Sequence, residues 1–168
     1  MVFQYKTEVK WGIILGLSVS LWVFIEYLLG FHTTRISWGV YSGYVAPIVP
    51  LLCYWYGIKE KKSQLQSMRF LQGFASGLMM AMIGAVIITG FFYVYLTAVN
   101  PHYLQDELSF INTSLTTGGM NSTEVASSMQ DLAELYTFTG QLFQAFLGTL
   151  IQGAIVSAGF SYMQRSRV

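Results

Sequence analysis

The chain has 168 residues, enough for one domain, and 54% of them are hydrophobic while only 10% are charged. Soluble domains carry about 25% charged residues, so so few cannot coat a water-exposed surface of this size. The net charge of +1 gives no reason to expect a nucleic-acid partner, and the single cysteine, Cys53, excludes an internal disulfide and leaves no metal-site spacing.

Residues 1–10 are polar and mixed in charge. The apolar run after them is too long for the core of a signal peptide and lacks a small-residue cleavage site, so it reads as a retained first span over residues 11–29. A membrane helix needs about 20 mostly apolar residues, because the hydrocarbon layer is ~30 Å thick and each residue rises ~1.5 Å. The second span covers residues 38–58. The third covers residues 70–99 and is long enough to tilt. Between it and the fourth lies a connection over residues 100–137, too long to be a bare loop. Pro101 suits a first helical turn, and Tyr103, Leu104, Leu108 and Ile111 follow at helical spacing. Gly118 and Gly119 break that pattern. Asn121 and Glu124 then form a capping-box pair ahead of Val125, Met129, Leu132 and Leu135. The expectation is an extracytoplasmic helical hairpin, serving as a lid or as a docking surface. The fourth span covers residues 138–163. Backbone groups in lipid must be paired within their own segment, so all four spans should be helices. The predicted fold is all-α: a polytopic four-helix membrane bundle, one domain over residues 1–168.

Orientation follows from the basic residues. Lys6, Lys10, Lys59, Lys61, Lys62, Arg69, Arg165 and Arg167 all fall on one side of such a bundle, against Arg35 alone on the other. The connection over residues 100–137 has no lysine or arginine, and it holds Asp106, Glu107, Glu124, Asp131 and Glu134. Both termini should therefore be cytoplasmic.

Small residues four apart let helices approach closely where lipid is as apolar as leucine. Gly12 and Gly16, Gly39 and Gly43, and Gly73 and Gly77 have that spacing, and Gly148 adds a small residue to span four. Trp11-Gly12-Ile13-Ile14-Leu15-Gly16-Leu17 and Gln72-Gly73-Phe74-Ala75-Ser76-Gly77-Leu78 share a Gly-x-x-x-Gly-Leu pattern that suggests an internal repeat of two hairpins.

Candidate chemistry is sparse. Glu26 is the one acid inside the spans as drawn, about a turn from the outer end. An interfacial role, paired with His32 or Arg35, is the plainer reading, and proton or ligand binding is the alternative. Pro47 and Pro50 each remove a backbone donor from span two, which predicts a kink that could build a binding site. Gln141, Gln144 and Gln152 share a helix face with Gly148. That face is expected to look at other helices, with interhelical hydrogen bonds worth ~0.6–2 kcal/mol each. Catalytic, metal-binding and nucleotide-binding motifs are missing, and no cofactor is expected.

Three stretches resemble a bacterial family, domain of unknown function 4199: the opening Lys10-Trp11-Gly12-Ile13-Ile14-Leu15-Gly16-Leu17, then Asn100-Pro101-His102-Tyr103-Leu104, then Gly119-Met120-Asn121-Ser122-Thr123-Glu124-Val125 with Met129. The resemblance covers most of the chain and implies four spans in a bacterial cytoplasmic membrane. It implies no activity and no functional residues. The outer connection departs from the family, whose members carry more charge there. The leading expectation is a non-enzymatic accessory or scaffold subunit, with the lipid bilayer and other membrane chains as partners. The alternative is a small oligomeric transporter or a lipid- or ligand-binding protein using Glu26 and the polar face of span four.

Overall fold

Four helices are long and apolar enough to cross a membrane, and they pack together in the computed structural model, which describes residues 5–65 and 67–166. The chain is a multi-pass helical membrane protein. The first crossing is α1 (Lys6–Leu28). The second is split into α2 (Ile36–Val45) and α3 (Ile48–Leu65). The third is α4 (Phe70–Val94), which runs on into a wider π turn at Tyr95–Val99. Two amphipathic helices follow, α5 (Tyr103–Thr117) and α6 (Ser122–Leu135), and α7 (Phe138–Gln164) is the last crossing. Arg167, counted above among the basic residues of the terminal side, lies outside the described residues.

The central helix is α4, which packs against α1 on one side and α7 on the other. Glycines set both spacings. A Cβ at Gly12 would sit 2.7 Å from Ile83 Cβ, and one at Gly16 2.7 Å from Ile87 Cβ. On the other side a Cβ at Gly77 would sit 2.4 Å from Ser157 Cβ, and one at Gly73 2.7 Å from Ser161 Oγ. The two halves of the suspected repeat thus serve the same purpose, joining α1 to α4 and α4 to α7. Leu15, Tyr54, Ile58, Met80 and Ala81 fill the buried centre.

Three expectations about packing need correction. A Cβ at Gly43 or at Gly148 would meet no atom within 4 Å, so neither glycine seats a helix of this chain. Gly39 approaches only the Phe31 carbonyl oxygen, 3.0 Å from its would-be Cβ, which is a loop contact rather than an interhelical one. The face of α7 bearing Gln144, Gly148 and Gln152 is exposed. The next face round, Gly153, Ser157 and Ser161, is buried instead. Its smaller side chains admit a closer backbone approach than glutamines do.

The first helix also begins at Lys6 rather than near residue 11. Its polar first turns are tolerated because α3 and α4 supply partners. Lys61 Nζ lies 2.7 Å from Glu8 Oε1, which also accepts a hydrogen bond from Ser76 Oγ at 2.9 Å. Glu60 accepts from Trp11 Nε1 at 2.9 Å and pairs with Lys10. Glu8 is only 2% exposed, so a second buried acid joins Glu26 inside the crossing helices.

The α5–α6 connection matches its sequence signals. Asn121 Oδ1 accepts from the Glu124 amide at 2.9 Å, and the Glu124 carboxylate accepts from the Asn121 amide at 3.2 Å. Gly119, at φ +88°, takes the left-handed turn between the two helices.

Candidate functional site

The second crossing breaks where its prolines require. Pro47 has no amide hydrogen to offer the Gly43 carbonyl, and its ring crowds the preceding turn. The helix stops at Val45 and restarts at Ile48, with Val49 donating to the Ala46 carbonyl at 3.3 Å across the break. Pro50 then sits buried in the first turn of α3, where a missing donor costs little. One consequence is that α2 makes little contact with the other helices. A cavity of about 210 Å³ opens between α1, the break and α7, lined by Val19, Trp22, Glu26, Pro47, Pro50 and Gln152 among others. A second chamber of about 290 Å³ lies under α5, lined by Glu26, His32, Ser42, Tyr103 and Glu107 among others. Glu26, Gly43 and Ala46 line both.

Glu26 is held from three segments. Its Oε1 accepts from Trp22 Nε1 at 2.7 Å, one turn back on α1, and from the Ser42 hydroxyl on α2. Its Oε2 lies 3.6 Å from His32 Nε2 in the α1–α2 loop. His32 Nδ1 in turn lies 2.6 Å from the Tyr95 hydroxyl. A tyrosine proton donated to Nδ1 leaves a hydrogen on Nε2 directed at Glu26, and a doubly protonated ring presents the same hydrogen with a charge. Asn100 braces this arrangement, reaching both the His32 carbonyl and the Tyr95 oxygen at 3.4 Å. Tyr27 closes it by donating to the Val99 carbonyl at 3.2 Å. The π turn supplies the fit, since Asn100 donates its amide to Tyr95 five residues back at 2.8 Å. Such turns recur at functional sites, where they re-aim a side chain at little cost in helix length.

The rings of Tyr95 and Tyr103 both meet His32 edge-on, 5.8 and 5.1 Å between centroids, which docks the start of α5 on this cluster. Glu107, one turn further along α5, has its carboxyl pushed above the usual range. Burial is the main cause, with repulsion from Asp106 adding to it and attraction to His32 opposing it. Burial likewise raises the Tyr103 phenol.

The structure separates the other sequence candidates. Glu26, Pro47, Pro50 and Gln152 come together around the deep cavity. Gln144 does not join them: its Nε2 donates to the Leu135 carbonyl at 3.0 Å and so closes the end of α6. Gln141 is half-buried one turn earlier on α7, in neither chamber. Arg35, offered as a partner for Glu26, is exposed, and His32 takes that place. Ser42 and Tyr95 were not singled out from the sequence, and Asn100 and Glu107 were named there only in a family-like stretch and among the outer acids, not as site residues. The proline pair was the one signal that pointed to a site on α2.

A family model described as protein of unknown function (DUF4199) matches residues 10–166, nearly the whole chain. No curated protein and no solved structure matches.

Proposed function

We propose that this chain, which belongs to the protein family of unknown function 4199, is a non-enzymatic membrane protein that binds an amphiphilic molecule taken up from the bilayer. The observation that carries this reading is the cavity at the broken second span. It is walled by Leu15, Val19, Val23 and Ile88, yet it has Glu26 and Gln152 at its polar edge. An apolar chamber with a few convergent polar groups is the usual form of a small-molecule site. Irregular backbone at membrane depth is tolerated where it lines such a cavity. In this reading the basic ends of the helices and both termini face the cytoplasm of a bacterial cell, and α5 and α6 lie on the far side.

Gly43 provides the test. It lines both chambers, and a side chain there meets no backbone clash. The native protein, extracted gently and examined by native mass spectrometry, should retain a small amphiphile. Gly43→Phe should fold normally and lose it. Equal retention by both proteins would sink the proposal.

A second reading, as a subunit of a larger membrane assembly, is favoured by α2. Trp38, Tyr41 and Tyr44 on that helix are 61%, 66% and 78% exposed, which suits a covering chain. Co-purification of a constant partner chain would support it, and elution of the chain alone from native membranes would count against it.

A further inference from the structure

We propose that the molecule held at Glu26 is a lipophilic cation, an ammonium or similar organic cation carrying an apolar body. The inference rests on the binding reading above and names its ligand class. Among the described residues lining the two chambers there is no lysine and no arginine, whereas Glu26 and Glu107 are both present. A phosphate or carboxylate would face those two acids in a medium of low dielectric, where repulsion is poorly screened. A cation meets the complementary charge, and it also meets aromatic faces: Trp22 and Tyr54 in the deep cavity, Phe31 and Tyr103 under α5.

Protons compete with such a ligand. The groups facing Glu26 are His32 from the α1–α2 loop, Ser42 from α2, and Tyr103 and Glu107 from α5 across the chamber, with Tyr95 behind His32 and Asp106 beside Glu107. Protonation of Glu107, whose carboxyl burial holds above the usual range, removes a negative charge from the chamber under α5. The hold on a cation weakens with it, so affinity falls as the solution is acidified.

The test uses the full chain in nanodiscs of phosphatidylglycerol, which carries no ammonium, titrated calorimetrically with octyltrimethylammonium, octanol and octyl sulfate, with empty nanodiscs subtracted. The cation should saturate one site and bind at least about tenfold more tightly than the alcohol, as an ion pair in a partly screened cavity requires. That preference should shrink as the solution is acidified and Glu107, held above its ordinary 4.5 by burial, takes up its proton. Glu26→Gln should abolish it. If added phosphatidylethanolamine displaces the probe, the natural cation is a lipid head group; if it does not, the cation is a free amphiphile. Saturable binding of octanol as tight as that of the cation overturns the charge assignment and leaves the cavity reading intact. Tightest binding of octyl sulfate also overturns it. No saturable binding of any probe above empty nanodiscs overturns both. Should Glu26→Gln fail to fold, the pH series on the native chain and the Glu107→Gln variant decide, and a cation preference untouched by both overturns the proposal.

Discussion

Adding one methyl group at Gly77 tests how the bundle is held together. In Gly77→Ala the new Cβ would lie 2.4 Å from Ser157 Cβ and 2.0 Å from Ser157 Oγ. Non-bonded heavy atoms rest about 3.5–4.0 Å apart, so α4 and α7 must separate locally by roughly 1–1.5 Å. The cost of such overpacking is about 1–3 kcal/mol, because a close-packed interface cannot yield at one point without opening gaps beside it. Alanine also gains up to about 1 kcal/mol of helix propensity over glycine, which offsets part of this. Gly90→Ala, on the same helix with no atom within 4 Å of the added carbon, measures that gain by itself. The difference between the two variants, read from denaturant titration in mixed micelles by tryptophan fluorescence, should be the overpacking cost alone, about 1–3 kcal/mol. Ser157→Gly supplies the converse. It removes both offending atoms and leaves the residue 157 Cα at 3.4 Å, an ordinary contact. The double variant should therefore regain most of the loss. Equal stabilities for Gly77→Ala and Gly90→Ala would refute the packing argument, and so would a double variant no better than Gly77→Ala.

Three further predictions concern charge. Glu107 is held above its ordinary value of 4.5 in the fold, so folding favours its neutral form. That contribution is fully present below the ordinary value and is lost as pH rises through the raised one. Protection of the α5 amides, exchange being corrected for its intrinsic pH dependence, should accordingly rise on acidification, and Glu107→Gln should show high protection throughout; a variant whose protection still tracked pH would contradict this. At the other end, Glu8 and Lys61 have side chains 3% and 13% exposed. Lys61→Met strands a buried carboxylate and should cost up to about 3–5 kcal/mol in micelle denaturation. Glu8→Gln should cost less, since a lysine stem can carry its ammonium out to water, and the double variant should recover stability relative to Lys61→Met. For orientation, single cysteines at the exposed Ser122 and Ser63 in a Cys53→Ser background should label differently with an impermeant maleimide. Ser122→Cys should react in intact cells and Ser63→Cys only after permeabilisation, and the reverse pattern would invert the assignment.

The four crossings were legible because hydropathy is a property of consecutive residues, and four helices of the structure are long and apolar enough to span. The Asn121–Glu124 cap was legible for the same reason, being a local pattern. The packing faces were less so. Gly-x-x-x-Gly marks a surface that can be approached, not the helix that approaches it: Gly43 of the Gly39–Gly43 pair has no neighbour inside the chain, and neither has the lone Gly148. The glutamine row on α7 was read as a buried seam on polarity alone, whereas Gly153, Ser157 and Ser161 won the interface on size. The helix of span one runs back to Lys6, past Thr7 and Glu8, which look like an aqueous flank until Lys61 and Ser76 are brought to Glu8 from α3 and α4.

The Glu26 site illustrates why the rest was hidden. A carboxylate a turn from a helix end has an ordinary explanation at the membrane interface, and nothing near it in the sequence contradicts that. Its partners arrive from residues 32 and 42, and His32 is steadied by residues 95 and 100. Only a break in the second span lets α2 carry Ser42 to Glu26 while α3 follows its own direction into the core with Tyr54 and Ile58. An unbroken helix through residues 36–65 would fix Ser42 and Tyr54 along one straight axis, and α2 could not lean out to leave a chamber between itself and α7. Pro47 therefore does two things by one means: it frees α2 to complete the Glu26 cluster, and it opens the space that cluster borders. Pro47→Ala, by restoring the donor to the Gly43 carbonyl, should straighten the crossing, pull Ser42 from Glu26 and close the cavity together. A Pro47→Ala protein that kept its amphiphile as well as the native chain would show that the break does not make the site.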